Sequence, residues 1–201
     1  MIIGPKYKIA RRLGAGVFEK TEGQKFALSL ARRQKQQGGR GPKSDYGIQM
    51  LEKQKARFSY ALTEKQFSNY VKKSLQKKGN NSDLLYGLLE SRLDNAVLRS
   101  GFVATRLAAR QMVSHGHLMV NGTRVTIPSY QIKSGDVITI REGSKKKTLF
   151  SGIDERLKNH KAPSWLAVDP EKQSVKVQGA PKLVASELLF NIGQVLEFYS
   201  R

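Results

Sequence analysis

Residues 92–125 read RLDNAVLRSGFVATRLAARQMVSHGHLMVNGTRV. Leu93, Ala96 and Val97 recur at helical spacing and predict a short helix from Arg92 to Ser100. Asn95 and Arg99 flank its apolar face beside Arg92, and Gly101 is a fitting stop. Thr105 is placed to cap a second helix, Arg106 to His115, closed by Gly116. Its apolar side is Ala108, Ala109, Met112 and Val113, with Arg106 and Arg110 one turn apart along the edge. Leu98 and Leu107 fall off these faces. A hairpin follows, because Leu118-Met119-Val120 and Thr123-Arg124-Val125 bracket Asn121-Gly122, a strong signal for a type I′ turn. After Pro128, Gly135-Asp136 opens a further strand, Val137 to Ile140, apolar on both faces. Helix, helix, hairpin and strand make a compact α+β unit. Between residues 91 and 141 it carries seven Lys/Arg against two acids.

Upstream, residues 44–90 are helical in pattern. Ile48, Leu51, Lys55 (through its stem) and Phe58 recur at helix spacing. Thr63 and Gln66 form a capping-box signature ahead of Phe67, Tyr70, Val71 and Leu75. Gly79-Asn80-Asn81 ends that helix, and Ser82 is read as the cap of another containing Leu84, Leu85, Leu88 and Leu89. These stripes are core. Lys53, Arg57, Lys65, Lys72 and Lys73 occupy the other faces, where solvation alone accounts for them.

Downstream, residues 142–182 are loop-rich. Lys145-Lys146-Lys147 has the default meaning of a solvated turn, and the lone Trp165 anchors a loop on the core. Leu188 to Tyr199 is too apolar for a free tail. It is expected to pack back on the 44–90 helices, which makes that domain discontinuous. Residues 1–43 hold eleven Lys/Arg against two acids and few large apolar groups. The run Gln34-Lys35-Gln36-Gln37-Gly38-Gly39-Arg40-Gly41-Pro42 cannot bury enough surface to offset its ordering entropy. A disordered tail and a basic arm that folds on RNA both fit; the charge favours the arm.

The formal net charge of the 201-residue chain is +20, and the sequence pI is about 10.3. Such an excess attracts polyanions. Nucleic acid fits better than a membrane, since no apolar run approaches the roughly 20 residues of a bilayer helix. Cysteine is absent, which excludes disulfides, thiol catalysis and thiolate metal sites. No apolar signal core follows Met1, so a cytoplasmic protein is the simplest reading.

A search for chemistry finds little. His115 and His117 form a His-x-His pair without a nearby carboxylate, a poor metal site; RNA contact or a helix C-terminal cation is the better reading. Gly14-Ala15-Gly16 and Gly38-Gly39-Arg40-Gly41 lack the spacing and preceding strand of phosphate-cradling loops. No catalytic residue, metal site or cofactor is expected. Polyanion binding remains. Arg92, Arg99, Arg106 and Arg110 can lie along one edge of two adjacent helices, where guanidinium forks suit phosphate oxygens. Aromatics are 8% of the chain and sit mostly in core stripes, so stacking on single strands is not the leading idea. Shape and backbone recognition of structured RNA is.

Arg92-Leu93-Asp94-Asn95, Gly101-Phe102, Ala104-Thr105-Arg106, Ala109-Arg110-Gln111-Met112-Val113-Ser114-His115 and Val120-Asn121-Gly122 resemble the RNA-binding module named after small-subunit ribosomal protein four. RNA-modifying enzymes and free regulators carry that module too, and both remain alternatives at this point. The flanks point further. Gly4-Pro5-Lys6, Ser44-Asp45-Tyr46-Gly47, Glu52-Lys53-Gln54-Lys55, Glu64-Lys65-Gln66-Phe67, Pro163-Ser164-Trp165-Leu166 and Glu197-Phe198-Tyr199-Ser200-Arg201 resemble the cysteine-free, bacterial-type ribosomal family. The likeness runs in order along nearly the whole chain from Gly4, so no presequence is expected.

That resemblance implies a structural protein that nucleates folding of the 5′ domain of small-subunit rRNA. It implies a neighbour in small-subunit ribosomal protein five, an influence on decoding accuracy and, in some members, repression of translation from the protein's own mRNA. Arg92, Arg99, Arg106, Arg110, Ser114 and His115 match the module's RNA-facing helices. Lys6, Arg11, Arg12, Tyr46, Lys53 and Lys55 lie in the matching basic N-terminal third. Arg40, Lys43, Arg57, Lys72, Lys73 and Arg124 complete the candidate RNA-binding set. Some relatives fix the N-terminal segment on a four-cysteine zinc site; here the arm must be ordered by RNA or not at all. The expected architecture is α+β. An extended basic N-terminal arm (1–43) precedes a mainly helical discontinuous domain (44–90 plus 183–201), and a small module of two helices plus a short sheet (91–182) is inserted in that domain.

Overall fold

The computed structural model describes residues 3–34, 44–184 and 188–200. In chain order the helices are α1 (Lys6–Leu13), α2 (Gln24–Gln34), α3 (Asp45–Ser59), α4 (Glu64–Leu75), α5 (Asn81–Glu90), α6 (Leu93–Arg99), α7 (Arg106–Ser114), α8 (Glu142–Lys145), α9 (Ile153–Asn159) and α10 (Ile192–Ser200). The strands are β1 (Leu118–Val120), β2 (Thr123–Arg124), β3 (Val137–Ile140), β4 (Leu166–Asp169) and β5 (Ser174–Val177). The fold is α+β, and the chain divides into two compact units, Met1–Leu85 with Val184–Arg201, and Tyr86–Leu183.

In the first unit local chemistry sets the helix starts. Ser44 accepts from the Gly47 N–H at 3.3 Å. Thr63 and Gln66 form the reciprocal capping box at the start of α4. At α5 the cap differs from expectation: the Asn80 side chain accepts from the Ser82 N–H at 3.0 Å, and the helix begins one residue before Ser82. The apolar C-terminal segment does fold back. Phe190, Ile192 and Val195 are buried, α10 packs along α3 and α4, and Gln49 donates to Glu197 at 3.0 Å.

The N-terminal segment departs from an extended arm. Residues 6–34 form two helices joined by 3-10 turns. They bury Ala10, Leu13, Val17, Phe18 and Phe26 together with Leu51 of α3. Tyr7 stacks against Phe26 at 5.3 Å, and Phe18 meets Phe58 edge-on at 6.1 Å. The apolar groups here are few, but they converge on one face of α3, and burial of large side chains at about 1.5–3 kcal/mol each offsets the ordering cost. The Gly-rich run over 35–43 lies outside the described residues.

In the second unit α6 and α7 pack on each other and on one face of a five-stranded antiparallel sheet, ordered β2-β1-β3-β5-β4. Asn121 and Gly122 both take positive φ, +49° and +79°, as a type I′ hairpin requires. Val120 faces Thr123 across it and Ile138 on the other side, and Ile138 in turn faces Val175. Phe102, Met112, Leu118, Ile138 and Val175 lie in one core. The loop-rich reading of 142–182 is corrected here. That region adds two strands to the sheet, because Ser174-Val175-Lys176-Val177 alternates buried and open positions and pairs with Leu166–Asp169. Trp165 is buried in the same core.

Candidate nucleic-acid interface

The α6–α7 face is built on two buried carboxylates. Asp94, on the first turn of α6, is 1% exposed. Arg92 grips it with two bonds, Nε to Oδ1 at 3.0 Å and Nη2 to Oδ2 at 2.8 Å. Arg110, from α7, adds Nε and Nη2 to the same Oδ2 at 3.2 and 3.1 Å. The second carboxylate is Glu90, fully buried at the end of α5. It accepts from Asn95 at 2.8 Å and from Arg99 at 3.0 and 3.2 Å. The Asn95 carbonyl oxygen accepts from Arg106. Two negative charges thus organise four guanidiniums, and the surplus of positive charge faces outward on Arg99 and Arg110, whose side chains keep 29% and 19% of their surface. Charged hydrogen bonds of this geometry fix arginine forks that would otherwise cost rotamer entropy on binding.

The expected residues separate into classes. Arg99, Arg106 and Arg110 are half-buried at the edge, with Gln111, Ser114 and His115 exposed beside them on α7. Arg92 is a correction: at 2% exposure it supports Asp94 and has no surface to offer a ligand. The reason is register, since it precedes α6 and bonds back over the first turn, with Leu93 N–H donating to Tyr130 O at 2.9 Å. Arg124 is exposed and donates to His115 O at 3.3 Å, across the end of α7. Gly116 there has φ +69°, and a Cβ at that position would strike the Arg124 guanidinium.

In the first unit, Lys53 is a second correction. It is 8% exposed, pairs with Glu64 at 3.0 Å and lies over the Phe198 ring at 4.5 Å. Arg57 is half-buried against Phe58 and Glu64, and Lys55 pairs with Glu52. Tyr46 stacks on Phe198 at 5.5 Å. Arg11 donates to Ser29 at 3.4 Å, and Lys6 sits 5.9 Å from the Phe18 ring. Arg12, Lys72 and Lys73 are exposed. Arg40 and Lys43 lie outside the described residues.

Arg141 and Lys147, which the sequence reading leaves out of the RNA-binding set, are exposed. His117, buried and bonded through Nδ1 to Ser144 Oγ at 3.0 Å, has its pKa lowered by burial first and then by Lys147, His115, Arg141 and Arg124. The His115 ring lies 5.9 Å from that of His117, and the Arg141 N–H donates to His117 O at 2.9 Å. Among the described residues no group of three metal-ligating side chains gathers, and no helix is long and apolar enough to cross a membrane.

Comparison with known proteins places this geometry. Residues 1–90 match the model of the ribosomal protein S4/S9 N-terminal domain, and residues 91–138 match the S4 domain. A small ribosomal subunit protein uS4 of Roseiflexus castenholzii is 44% identical over 207 residues, covering 99% of this chain and 98% of the relative. The uS4 protein of Chromobacterium violaceum is 44% identical over 204 residues, with coverage of 99% and 98%. That of a Sulfurihydrogenibium species is 42% identical over 202 residues, at 98% of each. The chain belongs to the uS4 family of small-subunit ribosomal proteins. As a member it is a ribosomal protein and not an enzyme. The S4-domain match ends within β3, so β4 and β5 extend the sheet, and α9 adds a helix, beyond the matched part.

Proposed function

We propose that the chain binds structured small-subunit rRNA, with the half-buried arginines of α6 and α7 reading the phosphate backbone. The observation that carries this is the sharing of Asp94 and Glu90 among Arg92, Arg99, Arg110 and Asn95, which holds guanidiniums in fixed positions at a surface edge. Arg99, Arg106, Arg110, Ser114 and His115 are the primary contacts. Arg12, Lys72, Lys73 and Arg124 are accessible secondary ones, and Lys6, Arg11, Tyr46, Lys55 and Arg57 contribute through partly exposed surfaces. In this reading the protein is a structural constituent that nucleates the 5′ domain of the rRNA in the cytoplasm. It adjoins ribosomal protein five, influences decoding accuracy and represses translation of its own mRNA.

The test is binding of the full chain to a junction-containing fragment of the rRNA 5′ domain over a range of salt. If about six phosphates are neutralised, the log–log slope is near −5, taking roughly −0.9 per phosphate from duplex DNA. A flat salt response would overturn phosphate recognition. Binding no tighter than to an unrelated duplex of equal length would overturn the assignment to this rRNA.

A further inference from the structure

We propose that His160, in the segment beyond the matched S4 domain, is a positioning residue for RNA binding: its ring holds the carbonyl end of α6 and so fixes where Arg99 stands. This rests on the reading of Arg99 as a backbone contact. It adds to that reading a group delivered by α9, from outside the two recognition helices.

The need arises from helix chemistry. The last carbonyls of a helix lack partners within it, and α6 is only seven residues long. Three of them are satisfied close by. Ala96 O accepts from the Ser100 N–H at 2.8 Å, Val97 O from the Ser100 hydroxyl at 3.0 Å and Leu98 O from the Gly101 N–H at 3.0 Å. Arg99 O accepts instead from His160 Nε2 at 2.8 Å, from 61 residues along the chain. A carbonyl only accepts, so Nε2 carries the proton of this bond. Gly101 makes room for the ring. Its φ is +85°, and a Cβ there would lie 2.6 Å from His160 Cγ and 2.8 Å from Cβ and Cδ2. The imidazole therefore rests directly on the Gly101 backbone.

The chain holds His160 in place from both directions. Before it, Ile153 and Leu157 of α9 are buried in the core of this unit; after it, Ala162 packs on that core and Trp165 is buried in it. The Leu166 N–H donates to Pro163 O at 2.9 Å, turning the chain into β4. Arg99 is thus fixed at two points, its guanidinium by Glu90 at 3.0 and 3.2 Å and its carbonyl by His160. Its side chain still keeps 29% of its surface. An arm ordered before binding has less rotamer freedom to lose on binding. The plain alternative is that His160 only finishes a helix end and contributes stability. What favours positioning is which carbonyl it takes, that of the single basic residue of α6.

The test is a double-mutant cycle in the full chain, read as affinity for the junction-containing rRNA fragment. His160 is exposed, so its replacement strips nothing from the core, and circular dichroism should show the variants folded. His160→Ala should lower affinity about three- to tenfold, the range for one net hydrogen bond. In an Arg99→Ala background the same change should cost less than about twofold, because the group it positions is gone. His160→Gln, which keeps an N–H donor without the imidazole, should bind within about twofold of wild type. If His160→Ala lowers the melting temperature and leaves affinity unchanged, its role is structural only and the proposal is overturned. It is overturned equally if the loss is as large without Arg99 as with it, or if His160→Gln fails to restore binding. If Arg99→Ala alone binds like wild type, it is the reading of Arg99 as a contact that fails, and the proposal falls with it.

Discussion

Both units build a carboxylate–cation network, exposed to water at Glu64 in the first and buried at Asp94 and Glu90 in the second, and they use it in opposite ways. In the first unit Glu64 collects Lys53 at 3.0 Å, the Tyr199 hydroxyl at 2.6 Å and Arg57 at 3.7 Å. Lys53 ends beneath the rings of Phe198 and Tyr199, so its charge is consumed in fastening α10 to α3 and α4. In the second unit Asp94 and Glu90 are held by arginine forks and by Asn95, and Arg99 and Arg110 keep part of their side-chain surface exposed. Lysine is a point charge that an aromatic box can enclose; a planar guanidinium pairs on one edge and still presents the other. The same excess of basic residues thus becomes a clasp in one unit and, in the proposed function, a recognition edge in the other.

The comparison breaks most visibly at the clasp. Removing residues 188–201 strips the buried Phe190, Ile192 and Val195 from the first unit. At about 2–4 kcal/mol for each large buried side chain, the sum reaches the typical total of about 5–15 kcal/mol. Circular dichroism should show the cooperative transition of that unit lost, and a sharp transition retained in both units would contradict the packing of α10. Next is Asp94→Ala, which leaves Arg92 buried without the Asp94 carboxylate. Urea titration should show a loss of about 3–5 kcal/mol. RNA affinity, measured below the melting range, should fall although a negative charge has been removed. Tighter binding would mean that net charge, and not the positioning of Arg110, governs recognition.

Smaller effects sharpen the contrast. Lys53→Met keeps the stem that packs under Phe198 and releases Glu64, which remains accessible to water. It should cost under about 1 kcal/mol by thermal melting, because an ion pair with a solvated partner is worth little. A loss as large as that of Asp94→Ala would erase the distinction between the two networks. The smallest effect is a pH dependence at Glu64. Burial pushes its pKa up, but the Tyr199 hydroxyl, Lys53 and Arg57 outweigh that, and the net direction is down. A carboxylate depressed in the folded state contributes stability above its unfolded pKa and loses it as pH falls through the folded value. Wild-type stability should therefore decline below about pH 4.5 more steeply than that of Glu64→Gln. Parallel curves would sink the assignment.

What could be read from the chain depended on distance along it. Thr105 capping α7 through Ala108 N–H at 3.2 Å, the Thr63–Gln66 box and the Asn121-Gly122 turn were all legible, since each involves residues three or fewer apart. The apolar C-terminal helix was legible because so many large side chains cannot stay in water. The alternation at Ser174–Val177 was also present, yet a period of two over only four residues is a weak signal without its partner strand. The packing of Phe18 and Phe26 on α3 was hidden, because Leu51 and Phe58 lie far away in sequence. Basic residues were the least readable: nothing local distinguishes Arg92 and Lys53, which are interior, from Arg110 and Lys72, which are not.

The residues alone determined that this is a polyanion-binding α+β protein, through its charge of +20, its helical and hairpin periodicities and the order of its motifs. Those properties follow from composition and short-range stereochemistry. Only the tertiary structure decided which cations are available. Burial of Asp94 and Glu90 selects their partners, and burial of Arg92 and Lys53 withdraws two cations from the surface. Exposure is a property of what packs against a side chain, and most of what packs against these comes from elsewhere in the chain.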